Sequence, residues 1–385
     1  MKNPFEFGRE LGAAELVDRR EEVRQVADVL REGGKLFVIG PRRFGKTSIL
    51  KAAEELAARD GVLVLRYDAE AYPALALLAQ AIIADATRAL TRSVEKAREW
   101  IVRFFGGLRP SVNYDVLQQS WSVQVGAGSA ALPAATALLV DVLAGLDALA
   151  GESGRPVGVV IDEFQHVVEQ EGIAAEQQIR AAIQKHRHVA YVFAGSKTRF
   201  LSDMTGDPAR PFYRLGSRMF VREVPRPDFE AALRDGFARA GFGVEPEGVA
   251  AILDRAEDVP YNVQRLAHFC WNALRDGAGS ALTPALVDAT LDRLVRQDDP
   301  FYTQLWNGLN RTQQKALVAV VRESGTEVYS QRVARSIGLS VSTIQTAVRA
   351  LERAGMVRVD EALGATRLRL EDPFFAAWLR VIGTL

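Results

Sequence analysis

Gly40-Pro41-Arg42-Arg43-Phe44-Gly45-Lys46-Thr47-Ser48-Ile49-Leu50 separates two glycines by four residues and follows the second with Lys and Thr. That spacing is the phosphate-loop pattern, and each residue type has a physical task in it. Gly45 lets the backbone turn so that successive N–H groups face a phosphate, and the helix that follows presents its positive amino-terminal end to the same charge. Lys46 reaches β- and γ-phosphates, while the Thr47 hydroxyl is a hard oxygen ligand for Mg²⁺. Gly40 to Ser48 as a whole, with Pro41, Arg42, Arg43 and Phe44, is the expected cradle for the phosphates. The bare pattern arises by chance in about one chain of this length in a hundred. The competing reading is a Gly-rich turn that binds nothing.

The flanks fit the motif. Leu36-Phe37-Val38-Ile39 is an apolar run of buried-strand length leading into Gly40, and Thr47 to Arg59 has helical spacing. Upstream, residues 15 to 31 read as a charged amphipathic helix broken from the strand by Gly33-Gly34. Downstream come a second apolar run at Val62 to Leu65, a helix-like stretch from about 73 to 105, and a β-hairpin expected within 109 to 128. Two further strands follow, Val157 to Ile161 and Val189 to Ala194. Strands spaced by helical segments of ten or more residues give an α/β fold with a parallel sheet and helices on both faces.

Both later strands end in chemistry. Val157 to Ile161 runs into Asp162-Glu163. Asp162 is placed to hold Mg²⁺ through water, and Glu163 to polarise the attacking water as general base. Val189 to Ala194 runs into Gly195-Ser196, where the Ser196 hydroxyl is placed to bond the γ-phosphate or that water. An acidic turn or a Ser cap after a buried strand is common without function, so these assignments draw their weight from the phosphate loop. Arg210 and Arg214, in DPARPFYRLG, are candidates for the arginine that stabilises charge on the γ-oxygens from a neighbouring subunit. In a Pro-bounded loop the plainer reading is a solvated side chain.

Composition bounds the rest. The chain has 385 residues, with 48 basic against 48 acidic side chains, 48% hydrophobic residues and one Cys. This is a globular balance with room for two or three domains. A single Cys, Cys270, excludes a disulfide framework and a Cys-based zinc site. No signal-peptide run opens the chain, and the most apolar window, 129 to 150, carries Pro133, Asp141 and Asp147. The expectation is a cytoplasmic protein away from membranes. Zero net charge argues against wholesale attraction to polyanions, but from Phe301 to Leu385 there are 11 Lys and Arg against 7 Asp and Glu.

That basic piece reads as a winged helix over 311 to 370. Thr312 to Arg322 and Gln331 to Ile337 are helical, Gly338-Leu339-Ser340 makes the turn, and Val341 to Ala354 is the second helix of a helix-turn-helix. The segment from Arg358 to Leu370, around Gly364, is the wing. Gln345, Arg349 and Arg353 are placed to face double-stranded DNA, with Arg367 on its phosphates. Many winged helices dock protein instead, which stays open at this point.

Taken together, Leu16 to Val23, GPRRFGKTSIL, VVIDEFQ, FAGSKT, PFYR, VPYNVQRLA and EDPFFAAWLR make a sequence that resembles the archaeal-type ATPases of the AAA+ and STAND superfamily. These look like distant relatives of the origin-recognition ATPases. The resemblance implies an AAA+-type P-loop NTPase sheet over 1–224, a helical lid domain over 225–299 and a winged-helix domain over 300–385. It places Val17, Asp18 and Arg19 beside the adenine, although the family more often has Gly and Glu where this chain has Asp18 and Arg20. Ser196 becomes the sensor, Arg214 the family's Tyr-Arg position, and Val259 to Gln264 a nucleotide contact with no basic residue before Arg265. The function expected is an ATP-binding, ATP-hydrolysing switch that forms a homo-oligomer with ATP and Mg²⁺ and acts on DNA. The alternative is a signalling or defence scaffold whose winged helix binds protein, with slow or no turnover.

Overall fold

The computed structural model describes residues 2–91, 99–100, 103, 110–115, 120–125, 135–360 and 367–384. It divides into two compact units.

The first unit comprises Glu10–Pro41 and Gly45–Arg222. Its elements are α1 (Arg20–Glu32), β1 (Lys35–Ile39), α2 (Lys46–Arg59), β2 (Leu63–Asp68), α3 (Leu75–Leu90), β3 (Pro110–Asp115), β4 (Ser120–Val125) and α4 (Ala135–Ser153). After these come β5 (Val157–Asp162), α5 (Gln165–Glu171), α6 (Ile173–Ile183), β6 (Val189–Gly195), α7 (Thr198–Gly206) and β7 (Ser217–Phe220). Five strands form one sheet in the order β2-β5-β6-β1-β7, and every pairing in it is parallel. β5 and β6 are buried along their whole length, as strands covered on both faces must be, which is why they read as unbroken apolar runs.

Alternate residues of the strands share one core. Phe37, Ile39, Leu65, Tyr67, Val159, Ile161, Tyr191 and Phe193 pack with α3, α4, α5 and α6 through Leu78, Ile82, Leu139, Val142, Leu146, Val167 and Ile179. Phe164, Phe193, Phe37 and Phe212 form an aromatic knot in it, with Phe164 and Phe193 centroids 4.4 Å apart. On the other face α1 lays Leu30 over Gly158 of β5. Burying such runs on both faces fixes the depth and register of the strands, and their carboxyl ends therefore line up to carry a site.

Two differences from the sequence expectation stand out in this unit. α1 begins at Arg20, not near 15, because Asp18 and Arg19 take positive φ values of 56° and 77°. β7 has no apolar run to announce it; as the edge strand it leaves Ser217, Arg218 and Phe220 exposed. The expected hairpin is present as β3 paired antiparallel with β4, whereas 109, 116–119 and 126–128 lie outside the described residues.

The second unit comprises Met1–Arg9, Arg42–Phe44 and Glu223–Leu385. It starts with α8 (Arg226–Ala238), β8 (Gly243–Val244), α9 (Pro246–Arg255), α10 (Pro260–Arg275), β9 (Ala281–Leu282) and α11 (Pro284–Gln297). The short parallel pair β8–β9 interrupts what the sequence suggests is purely helical. Cys270 is buried in α10, and burial pushes its thiol up to about 12. α12 (Asp299–Asn307) leads into α13 (Arg311–Arg322), α14 (Gln331–Ile337), α15 (Val341–Arg353), the antiparallel pair β10 (Val357–Asp360) and β11 (Arg367–Leu370), and α16 (Pro373–Val381). Local chemistry sets the boundaries: Asn310 and Gln313 close a capping box on α13, Ser330 and Ser340 cap α14 and α15, and Gly338 ends α14 in the left-handed region. Gly364 lies outside the described residues. Among the described residues, no helix is long and apolar enough to cross a membrane.

Candidate functional site

The ends of β1, β5 and β6 bring together residues far apart in the chain. Ile39 ends β1, and the loop after it reaches Gly45, whose φ of 87° is the left-handed conformation that a side chain resists. α2 then starts at Lys46, so that its first turn faces the loop. Lys46 is buried at 5% exposure, and its ammonium donates to the Pro41 carbonyl at 2.9 Å. A buried ammonium resting on a backbone carbonyl is a cation ready to be taken up by a stronger acceptor such as a phosphate oxygen. Ser48, next along the helix, accepts from the Leu11 N–H at 3.0 Å, tying the entry segment to the helix start.

Thr47 Oγ1 donates to Asp162 Oδ2 at 2.8 Å, joining the start of α2 to the end of β5. Asp162 is 4% exposed. Burial pushes its carboxyl above the ordinary aspartate range, against the Thr47 hydroxyl and the nearby Lys46 charge. A hydroxyl and a buried carboxylate, both hard oxygens in contact, are the donor set that suits Mg²⁺, which keeps most of its shell for phosphate and water. Among the described residues there is no cluster of three His, Cys, Asp or Glu that would hold a metal without such help.

Glu163 follows at φ 49°, and one of its oxygens is crowded with donors. Oε2 accepts from the Ser196 hydroxyl at 2.8 Å, from the Ser196 N–H at 3.1 Å and from the Gln165 side-chain amide. Burial alone would raise the Glu163 carboxyl, but the Lys46 charge and these donors outweigh it and hold the group below the ordinary glutamate range. Ser196 thus touches Glu163 directly. Gln165, wholly buried, is the residue that sequence reasoning missed; nothing distinguishes it from any polar first residue of a helix.

The other sequence candidates lie as follows. Arg19 is buried, donating to Glu22 at 2.8 Å and to the Arg222 carbonyl at 2.5 Å, with Val17 partly buried and Asp18 exposed before it. Arg210 makes a two-pronged pair with the fully buried Glu176 and lies over the Phe200 ring. Burial raises the Glu176 carboxyl, with Arg210 opposing. Arg214 is different: it is exposed, takes φ 52°, and its guanidinium sits 5.1 Å from the Tyr213 ring centroid.

Arg42, Arg43 and Phe44 group with the second unit. Arg43 Nη1 is 2.7 Å from Asp372, its guanidinium is 5.1 Å from the Tyr261 ring centroid, and its carbonyl accepts from the Tyr261 N–H. Phe44 is buried beneath the Arg358 guanidinium, while Arg42 is exposed. Asp372 also caps α16 and accepts from Asn262 and Tyr302. Arg265 of α10 is spent on Asp298 at 2.6 Å.

On α15, Ile344, Ala347, Val348 and Leu351 are buried, which turns Ser342, Gln345, Thr346, Arg349 and Arg353 outward on the opposite face. Arg367 on β11 donates to the Ser324 carbonyl at 2.7 Å.

Comparison with known proteins gives the same architecture. Residues 300–381 match the family described as "Probable winged helix domain". No curated protein matches the chain by sequence. Among solved structures, the Walker-type ATPase PABY2304 of Pyrococcus abyssi is similar with a TM-score of 0.62 at 17% identity, covering 98% of this chain and 99% of that one. The Aeropyrum pernix ORC2 protein, solved as ADPNP-ADP complexes, is similar with a TM-score of 0.54 at 15% identity over 100% of this chain and 99% of that one. The Aeropyrum pernix ORC1 protein in complex with DNA is similar with a TM-score of 0.50 at 15% identity, over 98% and 96%. With a five-stranded parallel sheet in one unit and a winged helix at its carboxyl end, the chain has the fold of the AAA+ ATPases of the archaeal origin-recognition type.

Proposed function

We propose that this protein binds ATP with Mg²⁺ at the ends of β1, β5 and β6, hydrolyses it, and works as a nucleotide-gated oligomeric switch acting on duplex DNA through its winged helix. The carrying observation is the convergence of Lys46, Thr47, Asp162, Glu163 and Ser196 on one spot, joined by the Thr47–Asp162 and Ser196–Glu163 hydrogen bonds. In this reading the backbone from Gly40 to Ser48 cradles the phosphates, and Lys46 leaves the Pro41 carbonyl for a phosphate oxygen. Thr47 and Asp162 would hold Mg²⁺, which supplies neutralising charge for the phosphates.

Glu163, ionised at neutral pH, accepts the proton of the attacking water. The water oxygen then bonds to the γ-phosphorus as the bond to the leaving β-phosphate oxygen breaks, giving ADP and phosphate. Val17 to Arg19 line the adenine. Arg214, exposed and without an ion pair among the described residues, is assigned as the arginine that one subunit offers to its neighbour, because Arg210 is already committed to Glu176. The assigned domains are 1–224, 225–299 and 300–385. Gln345, Arg349, Arg353 and Arg367 are assigned to DNA, the first three on the outward face of α15.

The test is mass by light scattering for wild type and Lys46→Ala, each with ATP and Mg²⁺, with and without duplex DNA. The reading expects assembly with ATP in wild type only, and co-elution with DNA. Assembly with ATP but indifference to DNA would shift the winged helix to a protein partner, and a wild type that neither assembles nor retains ATP would overturn the proposal.

A further inference from the structure

Gln165 opens α5, two residues beyond Glu163, and its side chain is fully buried beside the end of β6. Its amide nitrogen donates to Glu163 Oε2, the oxygen that also accepts both Ser196 donors. Its amide oxygen has no hydrogen-bond partner although it is buried. Turning the amide over would aim that oxygen at the carboxylate, so the charge on Glu163 dictates which end faces it. A buried amide with one end unpaired costs stability that an apolar side chain of similar size would not. The nitrogen's bond to Glu163 is what that cost supports.

The room for this arrangement comes from Gly195. A β-carbon there would lie 2.0 Å from Gln165 Oε1 and 2.7 Å from Leu201 Cδ1, so any side chain at 195 would drive Gln165 from its place. The Phe164 N–H donates to the Ala194 carbonyl at 2.8 Å, which locks the turn after β5 against the same stretch of β6. Three donors converge on Oε2 from two elements. No described residue donates to Oε1, which is left as the oxygen to face a water.

We propose that Gln165 is a positioning residue for ATP hydrolysis: with Ser196 it fixes the Glu163 carboxylate by Oε2 and aims Oε1 at the attacking water. This inference rests on the ATPase reading above. A base fixed at one oxygen keeps its direction through the reaction, whereas one tethered by fewer donors samples other rotamers and meets the water less often.

The experiment compares wild type, Gln165→Met and Gly195→Ala in steady-state ATP hydrolysis with Mg²⁺. Melting temperature and the dissociation constant for a non-hydrolysable ATP analogue are measured on the same samples. Methionine keeps the length and volume but removes the donor; alanine at 195 leaves Gln165 intact but takes its space. The expected result is a fall in kcat of about tenfold to a hundredfold in both variants, with KM and analogue affinity within about twofold of wild type. A Gln165→Met variant that is folded, binds the analogue and turns over like wild type overturns the positioning role. A variant whose KM and analogue affinity worsen in step with kcat also overturns it, because Gln165 is then merely structural. Absence of turnover in wild type itself is the distinct outcome that overturns the ATPase reading, and the positioning role with it.

Discussion

Ser196 Oγ lies 2.8 Å from Glu163 Oε2, so the hydroxyl at the tip of β6 is bonded to the acid at the tip of β5. The two strands are adjacent and parallel, with Ile161 in register with Phe193, which is what brings the two tips together. Replacing Ser196 with Ala leaves Glu163 Oε2 with the Ser196 backbone donor and Gln165 only. We expect kcat to fall about tenfold, with nucleotide affinity changed by less than about threefold, read from hydrolysis and analogue binding on the same preparation.

Asp162 links function to stability with opposite signs. Burial holds its carboxyl above the ordinary aspartate range, so the folded protein binds a proton there more readily than the unfolded chain does. Stability therefore falls as pH rises through the window from the ordinary value to the raised one. Asp162→Asn removes the cost while keeping one acceptor for Thr47 or the Glu163 N–H. The variant should melt a few degrees above wild type at pH 7, and the gap should close in acid where the wild-type carboxyl is protonated. Mg²⁺-dependent ATP binding should be lost in the same variant.

Arg43 and Asp372 form an ion pair at 2.7 Å, with side chains 33% and 17% exposed. Asp372 also caps α16 by accepting from the Phe374 N–H and bonds Asn262 and Tyr302. Asp372→Ala should destabilise the second unit by about 2–4 kcal/mol, a lost cap plus donors left unpaired. Arg43→Ala should cost less, and the double mutant less than the sum, giving a coupling of about 1 kcal/mol or more in a urea-unfolding cycle followed by tryptophan fluorescence. Additive costs would show that the pair is incidental.

Arg349 and Arg353 project from the outward face of α15, one turn apart. If both meet phosphates, Arg349→Ala with Arg353→Ala should weaken duplex binding and reduce the slope of log affinity against log salt by about 2, at ~0.9 per phosphate. Fluorescence anisotropy of a labelled duplex across a salt series reads both quantities. An unchanged slope would remove these arginines from the DNA surface.

The elements of this fold differ in the signal they leave in the sequence. β1, β5 and β6 were legible because strands buried on both faces are continuous apolar runs, and so was the placement of the candidate residues at or beyond their carboxyl ends, Gly45 to Thr47, Asp162-Glu163 and Ser196. β7 was not legible, since Ser217-Arg218-Met219-Phe220 sits at an edge with three of its four side chains exposed. The start of α1 was misplaced because apolar spacing continues through Asp18 and Arg19, and positive φ values leave no trace in periodicity. Gln165 and the Arg43–Asp372 pair were invisible for a different reason. Each matters through a contact made only when distant segments meet, and neither residue type is unusual where it stands.

The most direct measurement is ATP hydrolysis by wild type and Glu163→Gln in the presence of Mg²⁺, with bound nucleotide measured alongside. Gln at this position keeps the size and can still meet Ser196, but it cannot take a proton from water. Wild type should show measurable turnover, Glu163→Gln should lose about a hundredfold or more, and both should retain ATP. Equal rates in the two proteins, or a wild type that holds no ATP, would contradict the ATPase reading.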